Sequence, residues 1–311
     1  MIAELRGVTK KYGRVTALND VTLGLESGRV TAVLGPNGAG KTSAVKLLLG
    51  LTRPTRGRAT IFEQDPREPG ARRRTGVMLQ VSKVPETLTV REHLDLFCSY
   101  YPAPMSVDAA LAAADLTSVA DRRYGLLSGG QRQRAQFAFA ICGNPDLLFL
   151  DEPTVGLDVE SRRSFWHQIR ALASRGRSIV LTTHYLEEAD ALADRIVMLS
   201  GGTIVADGSP HQIKSRVASR RIRCTTSLSN TEIRDVASVQ SARQDGAAVE
   251  IFTSDAERVV RELLARDPGL SGLEVTGAGL EEAFLTLTSV GAALGLGGLD
   301  ARTVAAAGGA R

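Results

Sequence analysis

Three stretches of alternating apolar and polar residues open the chain and predict β-strands within residues 1–34. The next stretch, KTSAVKLLLG (41–50), has apolar residues at helical spacing and ends on a glycine, so it predicts a helix. The pattern then predicts two short strands and two helices, at 58–62, 75–80, 90–101 and 107–116. This part of the chain therefore combines both types of element.

Strands and helices alternate through the middle of the chain. DLLFLDEP (146–153) predicts a buried strand that ends in two carboxylates, and SIVLTTH (178–184) predicts another. Between them lies ESRRSFWHQIRALASRG (160–176), an amphipathic pattern with a glycine stop. DRIVMLSGGTIVADG (194–208) predicts two strands joined by a Gly-Gly turn. Such alternation predicts an α/β fold with a mostly parallel sheet and helices on its faces.

The character of the chain changes after about residue 218. RRIRCTTSL and AAVEIFTS predict strands, and AERVVRELLARD predicts a helix. Leu280, Phe284 and Leu287 follow at helical spacing. We therefore expect a first domain at 1–218, a small α+β domain at 219–290, and a disordered Gly/Ala-rich tail at 291–311.

Composition narrows the functional classes. With 311 residues, 43% of them hydrophobic, the chain can form one large α/β domain and a smaller one. It has neither an apolar run of membrane-spanning length nor a signal-peptide core at its start, so we expect a cytoplasmic protein. Three scattered cysteines without CxxC spacing argue against disulfides and zinc. The net charge of +4 is dispersed, and no nucleic-acid partner is expected.

A glycine-rich loop, GPNGAGKT (35–42), follows an apolar strand and opens a helix. Glycines let backbone N–H groups point inward, and these donors together with the helix N-terminus hold phosphates. Lys41 would neutralise the β- and γ-phosphates, and the Thr42 hydroxyl would ligate Mg²⁺. The predicted nucleotide-binding residues are Gly35, Pro36, Asn37, Gly38, Ala39, Gly40, Lys41, Thr42 and Ser43.

A pair of carboxylates ends the strand at 147–150. In open α/β sheets, ligands collect at the carboxyl ends of the strands. Asp151 is therefore expected to reach Mg²⁺, and Glu152 to act as the general base that accepts a proton from an attacking water. An acidic strand end is common by itself, but nucleotide hydrolysis needs both this feature and the glycine-rich loop.

Several motifs together make the chain resemble the ATP-binding cassette (ABC) ATPases over about residues 1–215. LSGGQ (127–131) between the two nucleotide motifs is the most specific of them. The others are Tyr12, GPNGAGKT, Gln80, LLFLDEP, GLD (156–158) and His184. The resemblance implies a phosphate-loop ATPase fold with an N-terminal antiparallel β subdomain and a helical subdomain at about 85–145. It also implies ATP and Mg²⁺ as ligands.

The resemblance assigns roles to residues that have none by themselves. Tyr12 would stack on adenine, as an aromatic face can. Gln80 would contact Mg²⁺ and the attacking water, and His184 would contact the γ-phosphate near Glu152. A lone tyrosine or histidine in such positions is otherwise more often structural.

The resemblance also explains why a second glycine-containing loop begins a second helix. Ser128, Gly129, Gly130 and Gln131 would bind the γ-phosphate held by another subunit, and Asp158 would cross to that subunit. A head-to-tail pair of cassettes then closes two sites. An ordinary Ser N-cap also fits this sequence, but it does not explain two glycines that weaken a helix start by roughly 1 kcal/mol each. Phe139 stands where many cassettes have Arg, without a functional account.

The segment 184–196, the linker 86–102 and the C-terminal LEEAFLTLT are similar to exporters of drugs, antibiotics, lipids or polysaccharides. Their permease is a separate integral-membrane chain, so the cassette is expected on the cytoplasmic face of the membrane. The alternative is a cassette ATPase without a transport role, acting on nucleic acid or ribosomes. Known ATPases of that class carry a long coiled coil, zinc-binding cysteines or a second cassette, and the chain has none of these. An inactive binding regulator is disfavoured by the intact Lys41, Asp151, Glu152 and His184.

Overall fold

The computed structural model describes residues 1–79, 84–215, 220–277 and 279–293. The chain forms two compact units, the first built on Met1–Ser209 and the second on Pro210–Leu287. The strands of the first unit are β1 Ala3–Tyr12, β2 Val15–Leu25, β3 Val30–Leu34, β4 Arg56–Ile61, β5 Thr75–Met78, β6 Leu147–Asp151, β7 Ser178–Thr182, β8 Arg195–Ser200 and β9 Thr203–Gly208. Its helices are α1 Lys41–Leu48, α2 Pro69–Arg73, α3 Val90–Cys98, α4 Val107–Ala113, α5 Gly129–Ile141, α6 Val159–Ala173 and α7 Leu186–Leu192.

A six-stranded sheet forms the centre of the first unit, in the order β5-β6-β7-β3-β8-β9. Five strands run parallel, and β9 pairs antiparallel with β8. Every residue of β3, β6 and β7 is buried, as expected for parallel strands covered on both faces. The predicted α/β fold with a mostly parallel sheet is confirmed.

A separate antiparallel sheet, in the order β2-β1-β4, lies beside the phosphate-loop helix α1. This is the N-terminal β subdomain that the family resemblance implied. Helices α3, α4 and α5 pack on one another and form the helical part of the unit. Their N-termini begin with serine or threonine caps at Thr89, Ser106 and Ser128.

An aromatic cluster in the helical part gives Phe139 a structural role. The Phe139 ring lies 5.3 Å from the ring of buried His93, 5.1 Å from Phe97 and 6.3 Å from Tyr124, measured between centroids. Aromatic pairs at such distances add to the stability that burial provides. The apolar residue at 139 therefore joins α5 to α3.

The second unit combines a four-stranded antiparallel sheet with helices. Its strands, β10 Arg220–Thr225, β11 Val239–Asp245, β12 Ala248–Thr253 and β13 Ser271–Gly277, lie in the order β11-β12-β10-β13. Its helices are α8 Pro210–Ser215, α9 Asn230–Arg234, α10 Ala256–Arg266 and the start of α11 Leu280–Ala293. A small core contains Ile222, Ile251, Val259 and Leu263.

Asp267 closes the loop after α10. Its Oδ2 accepts hydrogen bonds from the Thr226 hydroxyl at 2.6 Å and from the Ser227 N–H at 2.7 Å. These bonds, the Thr226 hydroxyl first, lower the pKa of Asp267 to about 2. The ionised carboxylate therefore fastens this loop to the end of β10.

Every helix within the described residues is too short or too polar to cross a bilayer.

Candidate nucleotide site

The loop between β3 and α1 has a backbone that only glycine accommodates at key points. Gly40, the residue before α1, has φ of +105°. A Cβ at this position would lie 2.5 Å from the carbonyl oxygen of Ala17 and 2.6 Å from Cδ2 of Leu18. Gly38 also has positive φ, but a Cβ there would meet open space. The first N–H groups of α1 lack partners within the helix, so the loop offers donors to an anion.

Lys41 is the first residue of α1, and it is only 9% exposed. Its Nζ donates hydrogen bonds to the carbonyl oxygens of Gly35 at 2.6 Å and Pro36 at 3.2 Å. Burial lowers its pKa, while the nearby Glu152 and Asp151 raise it. The ammonium group is therefore held inside the loop, near two carboxylates.

A cleft of about 320 Å³ lies against this loop. Tyr12, at the end of β1, forms part of its wall and is 47% exposed. The Nζ of Lys10 lies 4.7 Å from the centroid of the Tyr12 ring. The remaining lining residues are Val15, Ala17, Asn37, Gly38, Ala39, Gly40, Lys41, Thr42, Ser43, Asp151 and Glu152. The cleft thus brings together Tyr12, the loop and the acidic strand end.

Asp151 and Glu152 lie where β6 ends, beside the end of β7. Asp151 is 5% exposed, and its Oδ1 accepts a hydrogen bond from the Thr182 hydroxyl. The N–H of Glu152 donates to the carbonyl oxygen of Thr182 at 3.0 Å. Glu152 has φ of +54°, in the left-handed region that non-glycine residues seldom occupy. Its backbone is therefore held in a strained conformation, which is a frequent property of functional positions.

His184 meets Glu152 directly. Its Nδ1 lies 2.6 Å from Glu152 Oε2. Because a carboxylate only accepts hydrogen bonds, Nδ1 carries the hydrogen and Nε2 faces away from this contact. The Glu152 side chain is 11% exposed and the His184 side chain 51%. The adjacent parallel strands β6 and β7 bring these two residues to one edge of the sheet.

Gln133 is a contact of this region that the sequence patterns do not reveal. It lies on α5, and its Nε2 donates to the carbonyl oxygen of Pro153 at 2.7 Å. The same nitrogen lies 3.5 Å from the carbonyl oxygen of Glu152. The helix that begins at LSGGQ is thereby fastened to the turn after Glu152. The only sequence signal is a glutamine within a helix, which is too general to predict this contact.

The LSGGQ segment forms a capped and open helix start. Ser128 Oγ accepts from the Gln131 N–H at 3.3 Å, and Gln131 Oε1 accepts from the Ser128 N–H at 3.0 Å. A Cβ on Gly129 would meet no atom within 4 Å, and one on Gly130 would meet only Leu157, at 3.4 Å. Residues 128–131 are not among those that line the cleft. Packing within the chain therefore does not require glycine at 129.

Asp158 also lies outside the cleft lining. It caps α6, because its Oδ1 and Oδ2 accept from the N–H and the hydroxyl of Ser161, each at 2.8 Å. These hydrogen bonds, the one from the backbone first, lower the pKa of Asp158. Gln80, the remaining predicted site residue, lies outside the described residues.

The donors near the phosphate loop suit Mg²⁺. The exposed Thr42 and the carboxylate of Asp151 both line the cleft. Within the described residues, no group of three or more His, Cys, Asp or Glu side chains is arranged to hold a metal. Mg²⁺ commonly binds through one or two protein oxygens, with waters and substrate phosphates completing the shell. The site can therefore hold a polyphosphate, balance its charge and activate a water beside Glu152.

The family model described as "ABC transporter" matches residues 18–155. The chain is 36% identical over 295 residues to the Nod factor export ATP-binding protein I of Burkholderia orbicola (strain AU 1054), covering 92% of this chain and 96% of that protein. It is 41% identical over 246 residues to the daunorubicin resistance ATP-binding protein DrrA2 of Streptomyces coeruleorubidus, covering 76% of each.

Solved structures agree with these relatives. The ATP binding subunit of an ABC transporter aligns with a TM-score of 0.64 at 26% identity, over 70% of this chain and 93% of that one. A dimeric structure of the ATP-binding cassette MJ0796, in a post-hydrolysis state bound to ADP and Pi, aligns with a TM-score of 0.61 at 27% identity. That alignment covers 67% of this chain and 98% of the other.

Proposed function

This chain belongs to the ABC transporter family of ATP-binding proteins, and on that premise we propose that it hydrolyses ATP to power export through a separate membrane permease. The 2.6 Å contact between Glu152 and His184, next to the cleft that the phosphate loop lines, is the observation that carries the ATPase. It joins a carboxylate able to accept a proton to a side chain able to hold the γ-phosphate.

Substrate binding uses the cleft. The N–H groups of the loop and of the first turn of α1 hold the phosphates of ATP, and Tyr12 stacks on the adenine. Lys41 exchanges its hydrogen bonds to the carbonyl oxygens of Gly35 and Pro36 for bonds to the phosphates. Lys41 is already largely buried, beside Asp151 and Glu152. Its ammonium group therefore stays shielded from solvent when it moves to the phosphates.

Hydrolysis requires a water in line with the γ-phosphate. Glu152 accepts the proton of that water, and His184 keeps the phosphate near Glu152. Thr42, Gln80 and Asp151 would hold Mg²⁺, which neutralises charge on the phosphates. The strained backbone of Glu152, fixed by Thr182 and Gln133, keeps the carboxylate aimed at one place.

A second cassette completes each site. Ser128, Gly129, Gly130 and Gln131 bind the γ-phosphate held by the other chain, and Asp158 crosses between the chains. The open space above Gly129 supports this assignment, because a bare helix start leaves room for a phosphate. The pair is either two copies of this chain or this chain with a related cassette.

Export is proposed because relatives carry the names of a Nod factor export protein and a daunorubicin resistance protein. The permease would meet the cassette near Gln80 and the segment 81–101, on the cytoplasmic face of the membrane. Leu96 and Tyr100 on this segment are 43% and 62% exposed. We assign nucleotide binding to 1–218 and an accessory role to 219–290, with 291–311 as a tail.

Glu152→Gln tests the assignment of the general base. The change keeps the size of the side chain but removes the proton acceptor, so turnover of Mg-ATP should fall by about 10²–10⁴-fold. ATP binding should persist, and size-exclusion chromatography should detect an ATP-bound dimer. Glu187→Gln, an exposed position on α7, is the matched control and should retain full turnover. Full activity in Glu152→Gln would show that another group accepts the proton.

A further inference from the structure

Glu188, on α7, has a buried carboxyl group that the proposed reaction does not use. Its relative exposure is 0%. Burial raises its pKa, more than the surrounding hydrogen-bond donors lower it. The protonated form of Glu188 is therefore more favoured than that of an exposed glutamate. A role other than carrying a charge has to explain why this carboxyl group is buried here.

Three separate parts of the site meet at this carboxyl group. The Trp166 indole on α6 donates from Nε1 to Glu188 Oε1 at 3.1 Å. The hydroxyls of Thr183 and Thr154 lie close enough to the carboxyl group to lower its pKa, although the Thr154 hydroxyl falls short of hydrogen-bond geometry. Thr183 precedes His184, and Thr154 is the second residue after Glu152. Glu188 therefore lies between the loops that carry the two reacting side chains.

Two oxygen atoms at this junction have unused hydrogen-bonding capacity. Glu188 Oε2 and Thr154 Oγ1 are both buried, and neither meets the geometry of a hydrogen bond with any described residue. Buried polar atoms in proteins are nearly always satisfied, and exceptions call for an explanation. A small movement of either loop would therefore let these two oxygen atoms form a hydrogen bond.

Further contacts join α6 and α7 on either side of the Trp166–Glu188 hydrogen bond. Arg162, Trp166 and Arg170 recur every fourth residue and so share one face of α6. The Arg162 guanidinium lies 4.2 Å from the ring centroid of Tyr185, and Arg170 Nε donates to the carbonyl oxygen of Ala191 at 3.1 Å. Because α6 begins at its cap Asp158, the face joins that residue to the loop of His184.

Tyr185 connects these contacts of α6 to His184, since the centroids of the Tyr185 and His184 rings lie 4.2 Å apart. We propose that Glu188 and Trp166 are positioning residues that hold His184 against Glu152 and transmit the position of Asp158 to that pair. The proposal rests on the proposed ATPase function. Neither residue touches the substrate; both act through the loop that carries His184.

Kinetics of the full-length chain with Mg-ATP test the proposal. Glu188→Leu removes the acceptor and should lower kcat at least 10-fold while KM stays within twofold of wild type. Trp166→Phe keeps an aromatic ring but removes the donor, and it should lower kcat in the same way. Glu188→Gln keeps an uncharged acceptor and should retain at least half of wild-type kcat. Glu187→Leu, one position away and exposed, is the control and should leave kcat unchanged.

Single-turnover rates in a His184→Gln background distinguish positioning from loss of structure. If Glu188 acts through His184, adding Glu188→Leu should change the rate less than twofold. An additional loss as large as in the wild-type background overturns the proposal, and so does an unchanged kcat in both Glu188→Leu and Trp166→Phe. A wild-type chain without Mg-ATP turnover would instead overturn the proposed function itself.

A spectroscopic measurement tests the transmission from Asp158. Trp166 is the only tryptophan of the sequence, so its emission reports this junction directly. Adding Mg-ATP to Glu152→Gln chains should shift the emission, and Asp158→Ala in the same background should abolish that shift. An equal shift in chains with and without Asp158 would overturn the path through α6.

Discussion

Gly129→Ala should stabilise the chain and impair it at the same time. A Cβ at this position meets no atom within 4 Å, so the folded chain accepts the methyl group without strain. Gly129 is the first residue of α5, and replacing glycine by alanine at an unstrained position contributes about 0.4–1 kcal/mol, chiefly by restricting the unfolded chain. For a unit of this size, that gain corresponds to a rise in Tm of about 1–4 °C.

The impairment should be detectable only in the ATP-dependent dimer. The methyl group would occupy the space that a phosphate needs to reach the N–H groups at the start of α5. We expect the ATP-dependent dimer to weaken at least 10-fold, or about 1.4 kcal/mol or more. The free energy of unfolding is measured without nucleotide, and dimerisation is measured by sedimentation of Glu152→Gln chains with Mg-ATP.

Gly277→Ala provides the matched control for this experiment. A Cβ at Gly277 also meets no atom within 4 Å, but the residue lies in β13 of the second unit. It should leave dimerisation unchanged. Wild-type dimerisation of the Gly129→Ala chain would refute the assignment of this helix start to a phosphate of another subunit. A lowered Tm would refute the inference that its surroundings are open.

Two other changes test separate parts of the molecule. Ser128→Arg introduces a long cation at the start of α5, so it should weaken ATP-driven dimerisation at least 10-fold, as measured by sedimentation. A single chain should still bind ATP. Loss of that binding would contradict the proposal that Ser128 contacts the ATP of the other chain. Asp267→Asn should lower the Tm of the second unit at pH 7. The folded pKa of Asp267, about 2, lies below the ordinary value of about 4, so its stabilisation is present above pH 4 and lost as the pH falls toward 2. Thermal unfolding monitored between pH 2 and 7 should therefore show a flatter dependence in this variant than in wild type, and equal slopes would contradict the assignment.

Elements with a strong local pattern were predictable from the sequence. The strands β3, β6 and β7 are continuous apolar runs, and their complete burial follows from the parallel sheet that they form. The helix of the phosphate loop, α1, and the long helix α6 also lie where the spacing of apolar residues predicts them. In each case, local periodicity and tertiary position agree.

Elements stabilised by their partners were harder to predict. The edge strand β13 has seven exposed residues, and only Leu273 and Val275 alternate as apolar positions along it, so its strand pattern is short and weak. It exists because it pairs with β10, far from it in sequence. Phe139 is similar, since its partners on α3 come from a distant segment.

The candidate site divides in the same way. Residues that follow a recognisable strand or loop, such as Lys41, Asp151 and Glu152, could be selected from the sequence. Gln133 and Glu188 could not, because each acts by contacting a segment that is distant in sequence. Their chemistry is common in helices, and only the fold shows what they touch.

Lys41 lines the cleft, whereas Ser128 does not, and this separation has a genetic consequence. In the proposed pair, two chains with Lys41→Ala have no intact site, and neither do two chains with Ser128→Arg. A mixed pair places both defects in one site and leaves the other site intact. Two inactive alleles expressed in one cell should therefore complement each other, whereas two alleles altered within the same motif should not.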